Sequence, residues 1–202
     1  MLRHAAALVA ATLITATASQ AQELYFGGGL AYTQGDSTVA VGAPSELEAP
    51  MVSLILGQRY ATGSGFWGWE TNADLSFGAE STFFSGAGTC AANGSDGRPF
   101  LCEHQATLRL VGVFGTGVAD GTELFGTLGL GALRGGFSDG AFGANSGTAY
   151  GPTVSVGLSR DVGNGLMGRG EVIYDSFGNG GGAASSSDYS GTSIRFALLR
   201  KF

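Results

Sequence analysis

Past residue 21 the sequence never offers a run of roughly 18 apolar residues, so it contains no candidate membrane-spanning helix. It is also poor in charge. Only 13% of residues are Asp, Glu, Lys or Arg, against about 25% in an ordinary soluble domain. Bases are scarcer than acids, 10 against 16, for a formal net charge of -6. That balance argues against a nucleic-acid-binding face. Cysteine and histidine number two each, without the spacing of a Cys/His metal centre. No motif calls for a cofactor.

Glycine is abundant instead, 37 of 202 residues, about 2.5 times the usual share. High Gly with low charge fits strands that alternate between lipid and a tightly filled lumen. Residues 1–21 combine Arg3, an apolar run from Ala5 to about Ile14, and the small-x-Ala string Ser19-Gln20-Ala21. This is the pattern of a cleaved secretory signal. Its removal takes Arg3 and no acid, so the net charge moves from -6 to -7. Residues 22–202 are then long enough for one domain. In an exported chain the pair Cys90 and Cys102 is expected to form a disulfide. Closing that loop contributes about 3 kcal/mol in the chain-entropy treatment.

Eight segments have strand character, at approximately 24–33, 51–60, 66–77, 104–115, 122–134, 149–161, 165–175 and 192–202. Each approaches the 9–11 residues that a tilted spanning strand needs. In the third, Trp67, Trp69, Ala73, Leu75 and Phe77 oppose Glu70, Asn72, Asp74 and Ser76. In the fourth, Ala106, Leu108, Leu110 and Phe114 oppose Gln105, Thr107 and Arg109. In the sixth, Tyr150, Val154, Val156 and Leu158 oppose Thr153, Ser155, Ser159 and Asp161. In the last, Phe202, Leu198, Phe196 and Ile194 oppose Lys201, Leu199, Ala197, Arg195 and Ser193. Long connections (34–50, 78–103, 135–148, 176–191) alternate with short ones. Long loops on one rim and tight turns on the other are the outer-membrane pattern. A lipocalin-like soluble barrel would reverse the faces. Tyr25, Phe26, Tyr32, Tyr60, Phe66, Trp67, Phe114, Tyr150, Tyr174 and Phe202 lie near strand ends, where interfacial aromatic girdles are expected. The fold expected is an all-β, eight-stranded antiparallel up-and-down transmembrane β-barrel.

With its signal, strand number, loop asymmetry and terminal Phe202, the chain resembles the small eight-stranded outer-membrane barrels of Gram-negative bacteria. These include the transmembrane part of outer membrane protein A and the opacity-type, porin-like proteins. The resemblance implies an outer-membrane location, contact with outer-membrane lipids and lipopolysaccharide, and a role for Phe202 as the signal read by the assembly machinery. The peptidoglycan-binding domain that often accompanies relatives of outer membrane protein A has no counterpart here.

Polar faces turned inward would collect Arg59, Glu70, Asp74, Arg109, Glu123, Arg169, Glu171 and Arg195 in the lumen. An eight-stranded barrel is just wide enough for side chains to fill, and charges there must be paired or hydrated. A salt-bridged plug is expected, in a structural or surface-exposed protein whose long loops set any surface ligand. A narrow porin-like channel is the alternative. Gly136-Phe137-Ser138-Asp139-Gly140 matches the nucleophile-elbow string, which works on a strand-to-helix turn. With His104 on the same rim, Ser138 raises a second alternative, a lipid hydrolase. No helix pattern follows the string, and Ala106 stands where the lipid A hydrolases of this membrane place a serine. Gly163-Asn164-Gly165-Leu166-Met167-Gly168 matches GxGxxG but joins two strands, without the helix that a dinucleotide needs. The acids of the long connections are scattered, as on a solvated surface.

Overall fold

The computed structural model describes residues 22–39, 45–77, 80–82, 100–138, 144–178 and 187–202. The segments are β1 (Gln22–Val39), β2 (Ser45–Ala61), β3 (Gly65–Ser76), β4 (Glu80–Thr82), β5 (Phe100–Ala119), β6 (Thr122–Ser138), β7 (Ala144–Gly163), β8 (Leu166–Gly178) and β9 (Ser187–Lys201). Every pairing is antiparallel; the wall strands pair in chain order, with β3 against β5 because the short β4 pairs aside on β2, and β1 pairs with both β2 and β9. The sheet therefore closes into an eight-stranded barrel, with the three-residue β4 added on β2 above the wall. Closure removes the sheet edges that would otherwise template aggregation. The last ladder bond runs from the Phe202 amide to the Leu24 carbonyl, 2.8 Å.

One rim has tight turns. Thr62–Ser64 joins β2 to β3, Asp120–Gly121 joins β5 to β6, and Asn164–Gly165 joins β7 to β8. Asn164 (φ 56°) and Gly165 (φ 71°) both occupy the left-handed region. That is the requirement of a type I′ hairpin turn, which Asn-Gly meets at little steric expense. The GxGxxG string is this hairpin.

The opposite rim differs from the sequence expectation. Much of the connections at 34–50, 135–148 and 176–191 is strand. The β1–β2 ladder runs to Ser37↔Ser45, β6–β7 to Ser138↔Ala144, and β8–β9 to Gly178↔Asp188. Backbone hydrogen bonds carry a ladder whatever the side chains are. Alternation is imposed only where one face meets lipid. The apolar pattern therefore stops before the strand does.

Alternation decides the inside and the outside. Leu30, Leu54, Leu75, Leu108, Leu128, Leu130, Val156, Phe196 and Leu198 project outward and are exposed. Glu70, Asp74, Arg109, Glu171 and Arg195 project inward and are buried. A lipocalin-like barrel would have the reverse polarity. From Trp67 on β3 to Phe77, the residue just past its end, the outward apolar face covers ten residue steps. That is about 33 Å along the strand, or about 25 Å along the membrane normal at a tilt near 40°, the height of an outer-membrane apolar band.

Two of the expected girdle aromatics belong elsewhere. Tyr25 is on the inner face and 2% exposed. Phe66 is half-buried, with the Arg59 guanidinium 4.9 Å from its ring centroid. Phe26, Tyr32, Trp67, Phe114, Tyr150, Tyr174 and Phe202 are exposed outside. Tyr60 stacks on Trp67 at 4.7 Å. Beside them Gln58 Oε1 accepts from the Tyr60 hydroxyl and the Trp69 indole, each at 3.1 Å.

Candidate functional site

The lumen is the site that the strands build. It is filled in layers, and glycine makes the filling possible. A Cβ at Gly57 would strike the Tyr25 ring, and one at Gly131 would approach Phe177 to 2.8 Å. One at Gly157 would meet Phe125. Inner glycines thus give large rings and guanidiniums room in a barrel too narrow for both.

At mid-barrel, three guanidiniums meet four carboxylates. Arg109 on β5 pairs with Asp74 on neighbouring β3 and reaches Asp175 on β8, donating through Nη2 to Oδ2 at 2.5 Å and through Nε to Oδ1 at 2.9 Å. Arg169 on β8 pairs with Glu70 and with Glu171, the latter at 3.1 Å. Arg195 on β9 reaches Glu171 at 2.8 Å, Asp74 at 3.3 Å and Glu70 at 3.9 Å. None of the seven side chains is more than 3% exposed. The acids outnumber the bases by one, and neutral donors attend two of them. The Tyr25 hydroxyl donates to Glu70 at 2.8 Å and the Ser155 hydroxyl to Glu171 at 3.0 Å. The Arg169 guanidinium also lies 4.1 Å from the Phe125 ring centroid, a cation–π contact.

A second cluster occupies the tight-turn rim. Arg59 donates to Glu23 at 2.7 Å and to Glu123 at 2.6 Å. Ser159 also donates to Glu123, at 2.9 Å. Lys201 pairs with Asp161 at 2.6 Å and with Glu23 at 3.9 Å. Asp161 is exposed at the turn, below the apolar band. The hydrogen bond from Lys201, joined by the Gly163 amide, holds its carboxyl below the usual carboxylate range.

A cavity of about 430 Å³ opens at this rim, bounded by Glu23, Arg59, Phe66, Glu123 and Phe202. Between it and the mid-barrel network, the space among Tyr25, Phe66, Val113, Phe125 and Met167 is only about 10 Å³, room for about one water. Above the network, Leu133, Ala149, Phe177 and Tyr189 form an apolar layer.

The eight charges singled out in the sequence divide between the two clusters. Arg109, Asp74, Glu70, Arg169, Glu171 and Arg195 meet at mid-barrel, while Arg59 and Glu123 meet at the rim. Sequence reading missed Asp175, Glu23 and Lys201. Asp175 had a usable signal, since it shares the parity of Arg169 and Glu171 on one strand. Asp161, placed by alternation on the polar face with Ser159 but not counted among the lumen charges, joins the rim cluster through Lys201 and is exposed there.

His104 lies on the inner face, buried, with Nε2 2.7 Å from the Thr107 hydroxyl. Simple alternation puts it outside with Leu108. A bulge at Gln105, where His104 pairs with Gly135 but Ala106 with Arg134, turns it inward. Ser138 lies in the β6 ladder opposite Phe100, with Gly136 to Ser138 in continuous strand. It is three residues beyond the partner of His104, about 10 Å along the strand. Through Ser138 the described backbone is strand and does not bring the two together. Phe202 is exposed at the end of β9. Residues 1–21 and Cys90 lie outside the described residues, as does the side chain of Cys102.

No protein-family model matches the sequence, and no curated protein matches it. Among solved structures the chain is similar to the outer membrane protein OprG of Pseudomonas aeruginosa, with a TM-score of 0.54, 14% identity, and coverage of 91% of this chain and 97% of that one. It is similar to Neisserial surface protein A, with a TM-score of 0.53, 12% identity, and coverage of 89% and 97%. It is similar to Ail, the attachment invasion locus protein of Yersinia pestis, with a TM-score of 0.51, 11% identity, and coverage of 91% and 100%. The chain has the fold of the small eight-stranded outer-membrane β-barrels.

Proposed function

We propose that this protein resides in the outer membrane of a Gram-negative cell as a surface-presenting barrel whose lumen is closed by its own side chains. One observation carries the reading. Seven charged side chains, each at most 3% exposed, interlock across mid-barrel. Solute moving from the rim cavity would have to pass a void of about one water and then separate paired charges. Opening a buried pair leaves uncompensated charge, at about 3–5 kcal/mol. Such a lumen favours structure over conduction, and over chemistry at His104, whose described partner is Thr107 rather than Ser138. The hairpins that continue above the apolar band are the parts available to lipopolysaccharide or a surface ligand.

Conductance of the purified, folded protein in planar lipid bilayers tests this. The expected record has no steady unitary current. A stable open level would instead establish the porin-like alternative. The exposed terminal ring of Phe202, at the end of the closing strand, supports its role as an assembly signal. Deleting Phe202 should lower the amount of folded protein in the outer membrane. Unchanged levels would remove that role.

A further inference from the structure

We propose that the outer face of β7, β8 and β9 near the tight-turn rim is a binding site for an anionic phospholipid of the inner leaflet, phosphatidylglycerol in type. Arg160 and Arg200 hold the phosphate, and an acyl chain lies over Gly168. The proposal rests on the membrane reading above.

The cross-strand rows define the surface. Arg160 on β7 stands opposite Gly168 on β8, which stands opposite Leu198 on β9. One row further into the membrane, Leu158, Gly170 and Phe196 align in the same way. Leu158, Phe196 and Leu198 are exposed on the lipid-facing side, so Arg160 and Arg200, in step with them, face outward too. The two glycines are not equivalent. A Cβ at Gly170 would lie 3.3 Å from the Phe196 ring, so that position is already covered. A Cβ at Gly168 would meet nothing nearer than Val162 Cγ1, at 3.6 Å. Gly168 therefore leaves an open depression between an arginine and a leucine, on a surface where neighbouring rows carry bulky apolar groups.

Neither arginine beside it has an acidic partner among the described residues. Arg160 makes no ion pair among the described residues. Arg200 donates through Nη1 to the Asn164 carbonyl at 2.8 Å, which orients the guanidinium and leaves its charge uncompensated. The adjacent acid, Asp161, is engaged by Lys201 and by the Gly163 amide. Two guanidiniums thus sit at the foot of an apolar face with no carboxylate in ion-pair contact among the described residues. The anions at that depth are lipid phosphates, and a guanidinium offers a fork of donors that matches them. Two positive charges favour a headgroup of net negative charge over a zwitterionic one. At the same rim the outer face of β2 and β3 carries Tyr60, Trp67 and Trp69 around Gln58, and the cation there, Arg59, is held by Glu23 and Glu123, so the site is local to β7–β9.

Native mass spectrometry of the folded protein tests the proposal, with dioleoyl phosphatidylglycerol, the phosphate-free dioleoylglycerol and soluble glycerol phosphate as probes. Heat-modifiable migration first establishes that each variant is folded. R160Q/R200Q should weaken phosphatidylglycerol binding about tenfold or more and leave dioleoylglycerol binding unchanged. G168L should weaken both lipids, and glycerol phosphate should not bind. The milder R160Q alone should give a smaller loss in the same direction. Equal phosphatidylglycerol binding by the parent protein and R160Q/R200Q overturns the site, and so does unchanged binding by G168L. A protein that enters bilayers yet shows no preference for phosphatidylglycerol refutes this site alone. A protein that does not enter bilayers refutes the membrane reading.

Discussion

The lumen carries arginine–carboxylate chemistry twice, at mid-barrel and again at the tight-turn rim. At mid-barrel the partners are 0–3% exposed. At the rim they are 12–46% exposed. Coulomb attraction scales inversely with the effective dielectric, so similar distances carry different energies in the two places. Buried pairs are expensive to break because the surviving charge has no water. Rim pairs are worth about 0–1 kcal/mol, because water and salt replace a lost partner. On the closed-lumen function proposed above, the mid-barrel cluster is the part that would keep the barrel shut, and the rim cluster only lines its mouth.

The largest effect should come from removing a mid-barrel base. Arg109→Leu leaves buried Asp175 without its base and Asp74 with Arg195 alone, and should destabilise the barrel by about 3–5 kcal/mol, read as a lower urea midpoint for unfolding in lipid vesicles. A midpoint near the parent's would mean that the network is hydrated. Next is a change of the same size on the other side of the wall. Leu108→Arg puts charge on the lipid face beside Arg109 and should cost about 2–4 kcal/mol if it lies near the bilayer midplane. The same unfolding assay reads it, and an undiminished midpoint would contradict the outward assignment of Leu108. Smallest is the rim. Lys201→Gln removes a partner of the exposed Asp161 and should leave the unfolding midpoint close to the parent's, with any difference fading at high salt. A loss comparable to that of Arg109→Leu would abolish the distinction between the two clusters.

The comparison also shows what the sequence could reveal. Strand alternation exposed both faces of β3 and most of β5, β7 and β9, because lipid imposes a period of two. It marked Glu70, Asp74, Arg109, Arg169, Glu171 and Arg195 as one face, but not which acid meets which base. That depends on side chains crossing the lumen, as Arg109 does to Asp175. His104 was illegible because a single extra residue at Gln105 reverses parity without a compositional trace. Tyr25 was illegible for another reason: a tyrosine near a strand end suits a girdle or a lumen equally, and Glu70 decides between them only in three dimensions. The ladders above the apolar band were hidden because water imposes no pattern there.

The inward placement of charge and the outward placement of apolar groups are the foundation of this reading, and the two native tryptophans report on it without mutation. Trp67 and Trp69 both lie on the outer face near the tight-turn rim, exposed to whatever surrounds the barrel. The measurement is tryptophan fluorescence of the folded protein in vesicles made with brominated lipids. Emission should be blue-shifted, strongly quenched by bromine placed high on the acyl chains, and little affected by aqueous iodide. Emission indifferent to brominated lipid and quenched by iodide would put the tryptophans in water and contradict the inside-out assignment of the whole barrel.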